Sequence, residues 1–135
     1  MKEHFEKYRA LLERKGDLEQ KTIDHCQVID LYYADQIEQV ENSSAPIIGK
    51  ERIKKMELKN LEGVRSVKTT LKNILIEESS GLVWGEMIIE FDSIKLGKKR
   101  IEEAFMQRWE KDEIVFLRFF YGDFLDGLQD KIIKA

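Results

Sequence analysis

The hydrophobic pattern of this 135-residue chain changes its period near the middle. In the first half, apolar residues recur every three or four positions, which is typical of one face of a helix. In the second half they alternate or run continuously, which is typical of strands, in the segments VRSVKTTLKNILIE, LVWGEMIIEFDS, KRIEEAFMQRWEK and EIVFLRFFYGD. The short, turn-like connections between these segments predict an antiparallel meander. Helices followed by a sheet predict an α+β fold with the helices packed on one sheet face.

Local signals give the boundaries of three helices and one short strand in the first half. Glycine commonly follows the last turn of a helix, so the first helix is predicted to end at Gly16. The second begins at Asp17, because an Asp followed three residues later by Gln is a capping-box signature. A strand signal covers residues 37–40. The third helix is predicted to lie between Gly49 as its N-cap and Gly63.

Composition limits the classes of protein and partner. A globular balance of 42% hydrophobic and 36% charged residues predicts one domain, residues 1–135. The net charge of −3 and the lack of a basic stripe argue against nucleic acid as a partner. The single cysteine, Cys26, has no partner for an internal disulfide, which favours a cytoplasmic protein. We expect neither a signal peptide nor a membrane partner, because no apolar run approaches the roughly 20 residues of a membrane span.

The last long strand is apolar on both faces. Ile114, Phe116 and Phe120 share one face, while the other carries Val115, Leu117, Phe119 and Tyr121. A strand of this kind needs cover on both sides, and the helices can cover only one of them. The sequence therefore predicts a homodimer in which a second copy of the chain covers part of the other face.

Four motifs carry a resemblance to a known family. They are KGDLEQ after the first helix, YYADQIEQVE at the short strand, PIIGKERI at the third helix, and WEKDEIVFLRFFYGD at the last strand. In this order they resemble the SnoaL-like and ketosteroid isomerase-like branch of the nuclear transport factor 2-like (NTF2-like) superfamily. The resemblance implies a cone-shaped half-barrel whose three helices and curved antiparallel sheet enclose a largely apolar pocket, commonly in a homodimer.

The resemblance also implies a set of catalytic candidates. Glu41 falls where ketosteroid isomerases carry their general-base aspartate, and burial must raise its pKa before it can serve that role. Tyr8, or Tyr33, is the candidate hydrogen-bond donor of an oxyanion hole. Phe105 stands where those isomerases carry a protonated aspartic acid, and it can donate no hydrogen bond. In the cyclase branch an acid near the end of the sheet takes part, and Asp123 is the nearest match.

Further side chains are candidates for binding rather than chemistry. The aromatic residues that are predicted to line the pocket, with plain core as the alternative for each, are Tyr33, Phe105, Trp109, Phe119 and Tyr121. Arg118 lies between apolar neighbours and needs a partner if it is buried, such as Asp123 or a strand glutamate. We expect no metal or cofactor, because His25 has no second histidine and no Cys/Asp cluster at ligand spacing. We expect no nucleophilic pair of Cys26 and His25 either, because neighbouring residues of a helix point about 100° apart.

The second long strand leaves one orientation open. Trp84, Glu86 and Glu90 share a face. If this face is directed outward, the two acids are expected to pair with Arg100 or Arg108 across strands. If it is directed inward, a carboxylate beside Trp84 becomes a polar anchor for a ligand.

Two functions agree with these patterns. The first is a SnoaL-like protein that binds a small apolar or aromatic molecule, with isomerase-type or cyclase-type proton transfer as a further step. The second is a non-enzymatic dimeric NTF2-like module for binding or association, which the phenylalanine at position 105 favours. Fold alone does not separate the two, because one architecture can host many functions.

Overall fold

The structure, a computed structural model, describes residues 1–127 of the chain. The predicted single domain also includes residues 128–135, which lie outside the described residues. The elements in chain order are α1 (Lys2–Glu13), α2 (Leu18–Tyr32), β1 (Tyr33–Glu41), β2 (Ile47–Ile48), α3 (Lys50–Glu62), β3 (Val64–Glu77), β4 (Leu82–Ser93), β5 (Gly97–Glu110), β6 (Glu113–Tyr121) and β7 (Leu125–Asp126). The three helices therefore precede the long strands, and the α+β fold class is confirmed.

The strands within residues 1–127 form one mixed, unclosed sheet in the order β2-β1-β6-β5-β4-β3, and β7 pairs with β5. The predicted antiparallel meander is present from β3 to β6. The sheet is not antiparallel throughout, because β1 pairs with β6 in parallel and places Glu41 beside Phe119. This pairing places the segment after the second helix in the sheet, between β2 and β6.

A bulge in β3 bends the sheet near its outer edge. The register with β4 shifts between Lys72 and Leu75, and Asn73 within the shift has a positive φ of 55°. A Cβ atom added to Gly85 on β4 would lie 2.5 Å from Ile74 Cδ1 and 3.1 Å from the Phe105 ring, so Gly85 gives these side chains room beneath the bulge. Bulges increase the local twist and curvature of a sheet. The concave face that results is the one on which the helices pack.

The first helix ends earlier than predicted, and a lysine replaces the expected glycine cap. The helix ends at Glu13, and Gly16 lies beyond it. Lys21 of α2 is only 2% exposed, and its Nζ donates to the carbonyl oxygens of Leu12 and Arg14, both at 2.9 Å. These bonds satisfy carbonyl groups that a helix C-terminus leaves without partners. The local pattern missed this because the capping group comes from the next helix.

The second helix begins as predicted, and a buried carboxylate fixes it against the first. The Asp17 side chain accepts from the backbone nitrogen of Gln20 at 2.9 Å. Asp24 is 0% exposed and accepts two bonds from Arg14, at 2.6 and 3.0 Å, and one from the Gln20 amide at 2.8 Å. The pairing with Arg14 holds the pKa of Asp24 below its usual value. Gly49 and Gly63 flank the third helix as predicted.

The core fills the narrow end of the space between helices and sheet. The Gln107 amide, which is fully buried, donates from Nε2 to the Tyr8 hydroxyl and accepts at Oε1 from Trp109 Nε1, both at 2.9 Å. The rings of Phe5, Tyr8 and Trp109 pack edge-on or tilted, with centroids 5.7 to 6.4 Å apart. Helix α1 is thereby joined to the concave face of β5.

Replacing Asp24 with Asn is expected to lower the free energy of unfolding by about 1–3 kcal/mol, because it removes a buried charged acceptor of three hydrogen bonds. Chemical denaturation measures this loss. Asp30→Asn on the same helix is the control, since Asp30 is 51% exposed and pairs with Lys54 at the surface. Surface pairs contribute little, so its loss should be much smaller. Equal losses in the two variants would show that the Asp24 cluster does not hold the helices together.

Candidate functional site

A cavity of about 460 Å³ lies between the helices and the concave face of the sheet. All three helices and strands β1 and β3 to β6 contribute to its wall. The wall is largely apolar, and its side chains include Leu12, Ile29, Ile53, Met87, Ile89 and Phe119. Volumes of this order are typical of sites for small organic molecules.

Glu41 lies in the cavity wall and is held from two directions. The Tyr121 hydroxyl donates to its Oε1, and Gln39 Nε2 donates to its Oε2 at 3.1 Å. Gln39 and Glu41 are two residues apart on β1, so both side chains project from the same face of the strand. Tyr121 reaches Glu41 from β6, the parallel neighbour of β1. The fold therefore fixes a carboxylate that accepts on both oxygens at one side of an apolar cavity.

A second carboxyl group, that of Glu103, faces the same cavity from β5. It lies directly opposite Tyr121 in the register between β5 and β6. Burial, followed by the negative charges of Glu41 and Glu57, raises the pKa of Glu103 to about 8. Burial and the bond to Glu41 also raise the pKa of Tyr121. At neutral pH, Glu103 consequently holds a proton that it can donate.

A histidine and a glutamate reach the cavity from the second and third helices. His25 of α2 places Nδ1 at 3.3 Å from Oε1 of Glu57 on α3, and both residues line the cavity. His25 Nε2 is buried and has no hydrogen-bond partner within residues 1–127. A buried nitrogen without a hydrogen-bond partner costs free energy. The polar contact of this ring is therefore the one that Nδ1 makes with Glu57.

The two predicted tyrosine donors are both buried beside the cavity. Tyr8 is 1% and Tyr33 is 8% exposed, and both line the wall. Burial raises the pKa of each phenol above its ordinary value, so both hydroxyl groups keep their protons. Because Gln107 donates to the Tyr8 oxygen, the Tyr8 proton remains free for another acceptor.

The structure places the other predicted site residues as follows. Phe119 and Tyr121 line the cavity, while Phe105 and Trp109 are buried in the core and are absent from its wall. Arg118 donates to the carbonyl oxygen of Asn42 at 3.1 and 2.8 Å, rather than to an acid. Asp123 is exposed and lies outside the cavity wall.

The open orientation of the second long strand is resolved by burial. Trp84 is 46% exposed, so its face of β4 is directed away from the helices. Neither acid on this face pairs with the predicted arginines. Glu90 pairs with Lys68 at 4.0 Å, and Glu86 accepts a bond from Asn73.

Sequence reasoning missed two of the acids in the cavity, although a signal for each is present. Glu103 shares its strand face with Ile101 and Phe105, and an acid on an otherwise apolar face is that signal. Glu57 follows Ile53 by four residues and so lies on the inward stripe of the third helix. The pattern does not reveal that the two acids face one cavity.

Neither a metal centre nor a membrane segment is found in the part of the chain that the structure describes. Residues 1–127 contain no group of three or more His, Cys, Asp or Glu side chains arranged to hold a metal ion. Over the same residues, every helix is too short or too polar to cross a membrane.

Comparison with known proteins identifies the fold. No protein-family profile and no curated protein matches the chain. An NTF2-like protein of unknown function from Exiguobacterium sp. 255-15 matches with a TM-score of 0.68 and 15% identity, over 89% of this chain and 98% of that chain. A candidate SnoaL-like polyketide cyclase from Mesorhizobium loti matches with a TM-score of 0.69 and 16% identity, over 89% and 97%. An LEH-like epoxide hydrolase from M. tuberculosis matches with a TM-score of 0.65 and 12% identity, over 89% and 76%.

These likenesses show that the chain has the NTF2-like fold, in the form shared with SnoaL-like structures. The resemblance predicted from the sequence motifs is thereby confirmed for the fold. At identities of 12% to 16%, the likeness is one of fold.

Replacing Glu103 with Gln is expected to flatten the dependence of stability on pH. The pKa of Glu103 is about 8 in the folded protein and near 4.5 in the unfolded chain, so its protonated form is favoured by folding. Its contribution is complete below pH 4.5 and is lost as the pH rises through 8. The unfolding temperature of the native protein should therefore fall more between pH 6 and pH 9 than that of Glu103→Gln.

The matched control for this experiment is Glu102→Gln. Glu102 is the exposed neighbour of Glu103 on β5 and pairs with Arg100. This variant should keep the pH dependence of the native protein. Parallel curves for native protein and Glu103→Gln would contradict the burial of a protonated carboxyl group.

Proposed function

We propose that this protein binds a small, largely apolar molecule in the cavity and catalyses proton transfer on it. The observation that supports this function is the pair of unlike carboxyl groups on one apolar cavity. Glu41 accepts hydrogen bonds on both oxygens, whereas Glu103 is protonated at neutral pH. A base and an acid held apart in this way are what proton transfer between two sites of a substrate requires.

The proposed reaction begins at a carbon next to a carbonyl group. Glu41 removes a proton from this carbon, and the electron pair of the C–H bond moves toward the carbonyl oxygen. Glu103 donates a hydrogen bond to this oxygen as its negative charge develops. Return of the proton from Glu41 to a different carbon gives an isomer. Alternatively, attack of the carbanion on a second carbonyl group closes a ring, and the alkoxide that forms takes the proton from Glu41. The apolar wall excludes water and strengthens each electrostatic interaction.

The role of Glu41 as the base in this proposal follows the sequence prediction, and Glu103 is added as the acid. Glu103 lies two residues before Phe105 on the same strand face, so it supplies the protonated acid that Phe105 cannot. The names of two neighbours, a candidate polyketide cyclase and an LEH-like epoxide hydrolase, agree with acid-base chemistry in a fold of this kind. The proposal keeps the cytoplasmic location expected from the single cysteine.

A second candidate function, a dimeric module for association, is favoured by the outer face of the sheet. Leu75, Trp84 and Phe120 are 72%, 46% and 38% exposed there. Leu75 and Trp84 are direct neighbours in the register of β3 and β4, and the Arg118 guanidinium lies 4.7 Å from the centre of the Phe120 ring. Exposed apolar side chains that form a patch are typical of an interface. We propose a homodimer through this face, which leaves the cavity on the opposite face free.

Proton transfer is tested by deuterium exchange. A panel of hydrophobic ketones with an acidic C–H group, with and without an amino substituent, is incubated with the protein in D₂O, and NMR measures loss of the C–H signal. Glu41→Gln is expected to slow exchange by about 10²–10⁴-fold, because it removes the base, while binding changes by a few fold at most. Glu103→Gln should slow exchange less than Glu41→Gln does. The native rate should fall above pH 8, where Glu103 loses its proton, and this fall should be absent from Glu103→Gln.

The exposed residue Glu102 again gives the control, and Glu102→Gln should exchange at the native rate. Exchange at the rate of buffer alone for every ketone would remove the proposed reaction. Equal rates in the native protein and Glu41→Gln would remove Glu41 as its base.

The dimer is tested by analytical ultracentrifugation of native protein and of Trp84→Glu. A stable interface buries roughly 1,200–2,000 Å² in total, so the native protein should sediment as a dimer at micromolar concentration. Trp84→Glu places a charge in the patch and should sediment as a folded monomer, with an unfolding temperature lower than that of the native dimer because the association no longer stabilises the folded state. A native protein that remains a monomer at high micromolar concentration would contradict the interface.

A further inference from the structure

The acidic and basic side chains of the cavity wall are three glutamates and one histidine. Glu41, Glu57, Glu103 and His25 line the wall, and no lysine or arginine of residues 1–127 lines it with them. The rest of the wall is mainly apolar, so little solvent screens these groups. A cavity lined by one sign of charge within low-dielectric walls attracts the opposite sign. Such a cavity disfavours carboxylates and phosphates and favours cations.

Glu57 is the acid of this set that is best placed to bind a cation. Glu41 already accepts bonds from Tyr121 and Gln39, and Glu103 holds a proton at neutral pH. Within residues 1–127, by contrast, the polar contact of the Glu57 carboxylate is with His25 Nδ1 alone, at the long distance of 3.3 Å. A carboxylate beside an apolar cavity is stabilised by a positive partner.

The field of Glu57 reaches across the cavity to the opposite wall. Its negative charge contributes to the raised pKa of Glu103 on β5 and of Tyr33 on β1. Glu57 is also about one-third exposed, so a ligand can reach it without moving the helix. The geometry therefore gives an accessible anionic group at the helical side of the cavity, opposite the pair of carboxyl groups on the sheet.

The aromatic side chains of the wall suit the same kind of ligand. Tyr33, Phe119, Tyr121 and Phe91 all line the cavity. The faces of such rings attract ammonium groups and also pack against apolar or aromatic bodies. Anionic and aromatic groups together match a molecule that is cationic at one end and hydrophobic elsewhere.

We propose that the cavity binds a hydrophobic amine, with its ammonium group on Glu57 and its apolar or aromatic body against the remaining wall. This inference rests on the proposed function and adds to it the charge of the substrate. Glu57 determines specificity here, while Glu41 and Glu103 transfer the proton. A substrate with its reactive carbonyl group near the sheet and its amino group near α3 satisfies both roles.

The experiment compares three probes that share one hydrophobic body. Isothermal titration calorimetry at pH 7 measures binding of 4-phenylbutylamine, 4-phenylbutan-1-ol and 4-phenylbutanoate to the full chain. The amine is expected to bind at least tenfold more tightly than the alcohol, and the carboxylate more weakly than either. Glu57→Gln should remove the preference, so that amine and alcohol bind within about twofold of each other while the affinity for the alcohol is unchanged.

Glu51→Gln is the matched control, because Glu51 lies on the same helix, is exposed and is absent from the cavity wall. It should keep the full preference for the amine. Unchanged binding of the alcohol shows that Glu57→Gln is folded with its cavity intact.

Three outcomes would overturn the inference. These are equal affinity of the native protein for amine and alcohol, tightest binding of the carboxylate, and no binding of any probe at millimolar concentration. The deuterium exchange of ketones without an amino group decides the proposed reaction separately. Exchange of these neutral ketones together with no preference for the amine would reject the amine and retain the proton transfer.

Discussion

The hydrogen bonds of one buried amide determine how closely the helices approach the sheet. Gln107 is fully buried on β5, and a buried amide without partners carries a large cost in free energy. Its Nε2 and Oε1 atoms are satisfied by Tyr8 of α1 and by Trp109 of its own strand. Helix α1 cannot move away without breaking the bond to Tyr8. It cannot move closer because the rings of Phe5, Tyr8 and Trp109 already fill the space.

The cluster of Gln107 and the aromatic rings holds the helices away from the sheet, and the cavity lies beside this cluster. Beyond the aromatic cluster, the facing side chains of helices and sheet are mostly apolar, and they line the space without closing it. The bulge at Asn73 and the glycine at position 85 bend the far strands, so the concave face is open where the aromatic rings end. Acids on the inner face of β1 and β5 are therefore held in a space that the core cannot collapse to fill.

The sequence was sufficient for the class of fold, but not for the partners of its polar groups. The change of hydrophobic period predicts helices before strands, and alternation puts Glu103 on the same face as Phe105. Which face is directed inward depends on the helices, and parallel pairing of β1 with β6 joins residues almost 80 positions apart, such as Glu41 and Phe119. Glu41 and Tyr121, whose hydroxyl group donates to it, are 80 positions apart. Local patterns carry no information about such contacts, so Tyr121 was predicted only as an aromatic side chain of the pocket wall and not as a hydrogen-bond donor to Glu41.

The two proposed roles in the cavity are coupled through the pKa of Glu103. Part of the shift to about 8 comes from the negative charge of Glu57. An ammonium group bound to Glu57 would offset part of this charge and so lower the pKa of Glu103, while burial and the charge of Glu41, the two larger causes of the shift, remain. Glu103 would then be a stronger acid with substrate present than without it. A general acid is most effective when its pKa is close to the working pH, so substrate binding at the helical side would itself adjust the acid at the sheet.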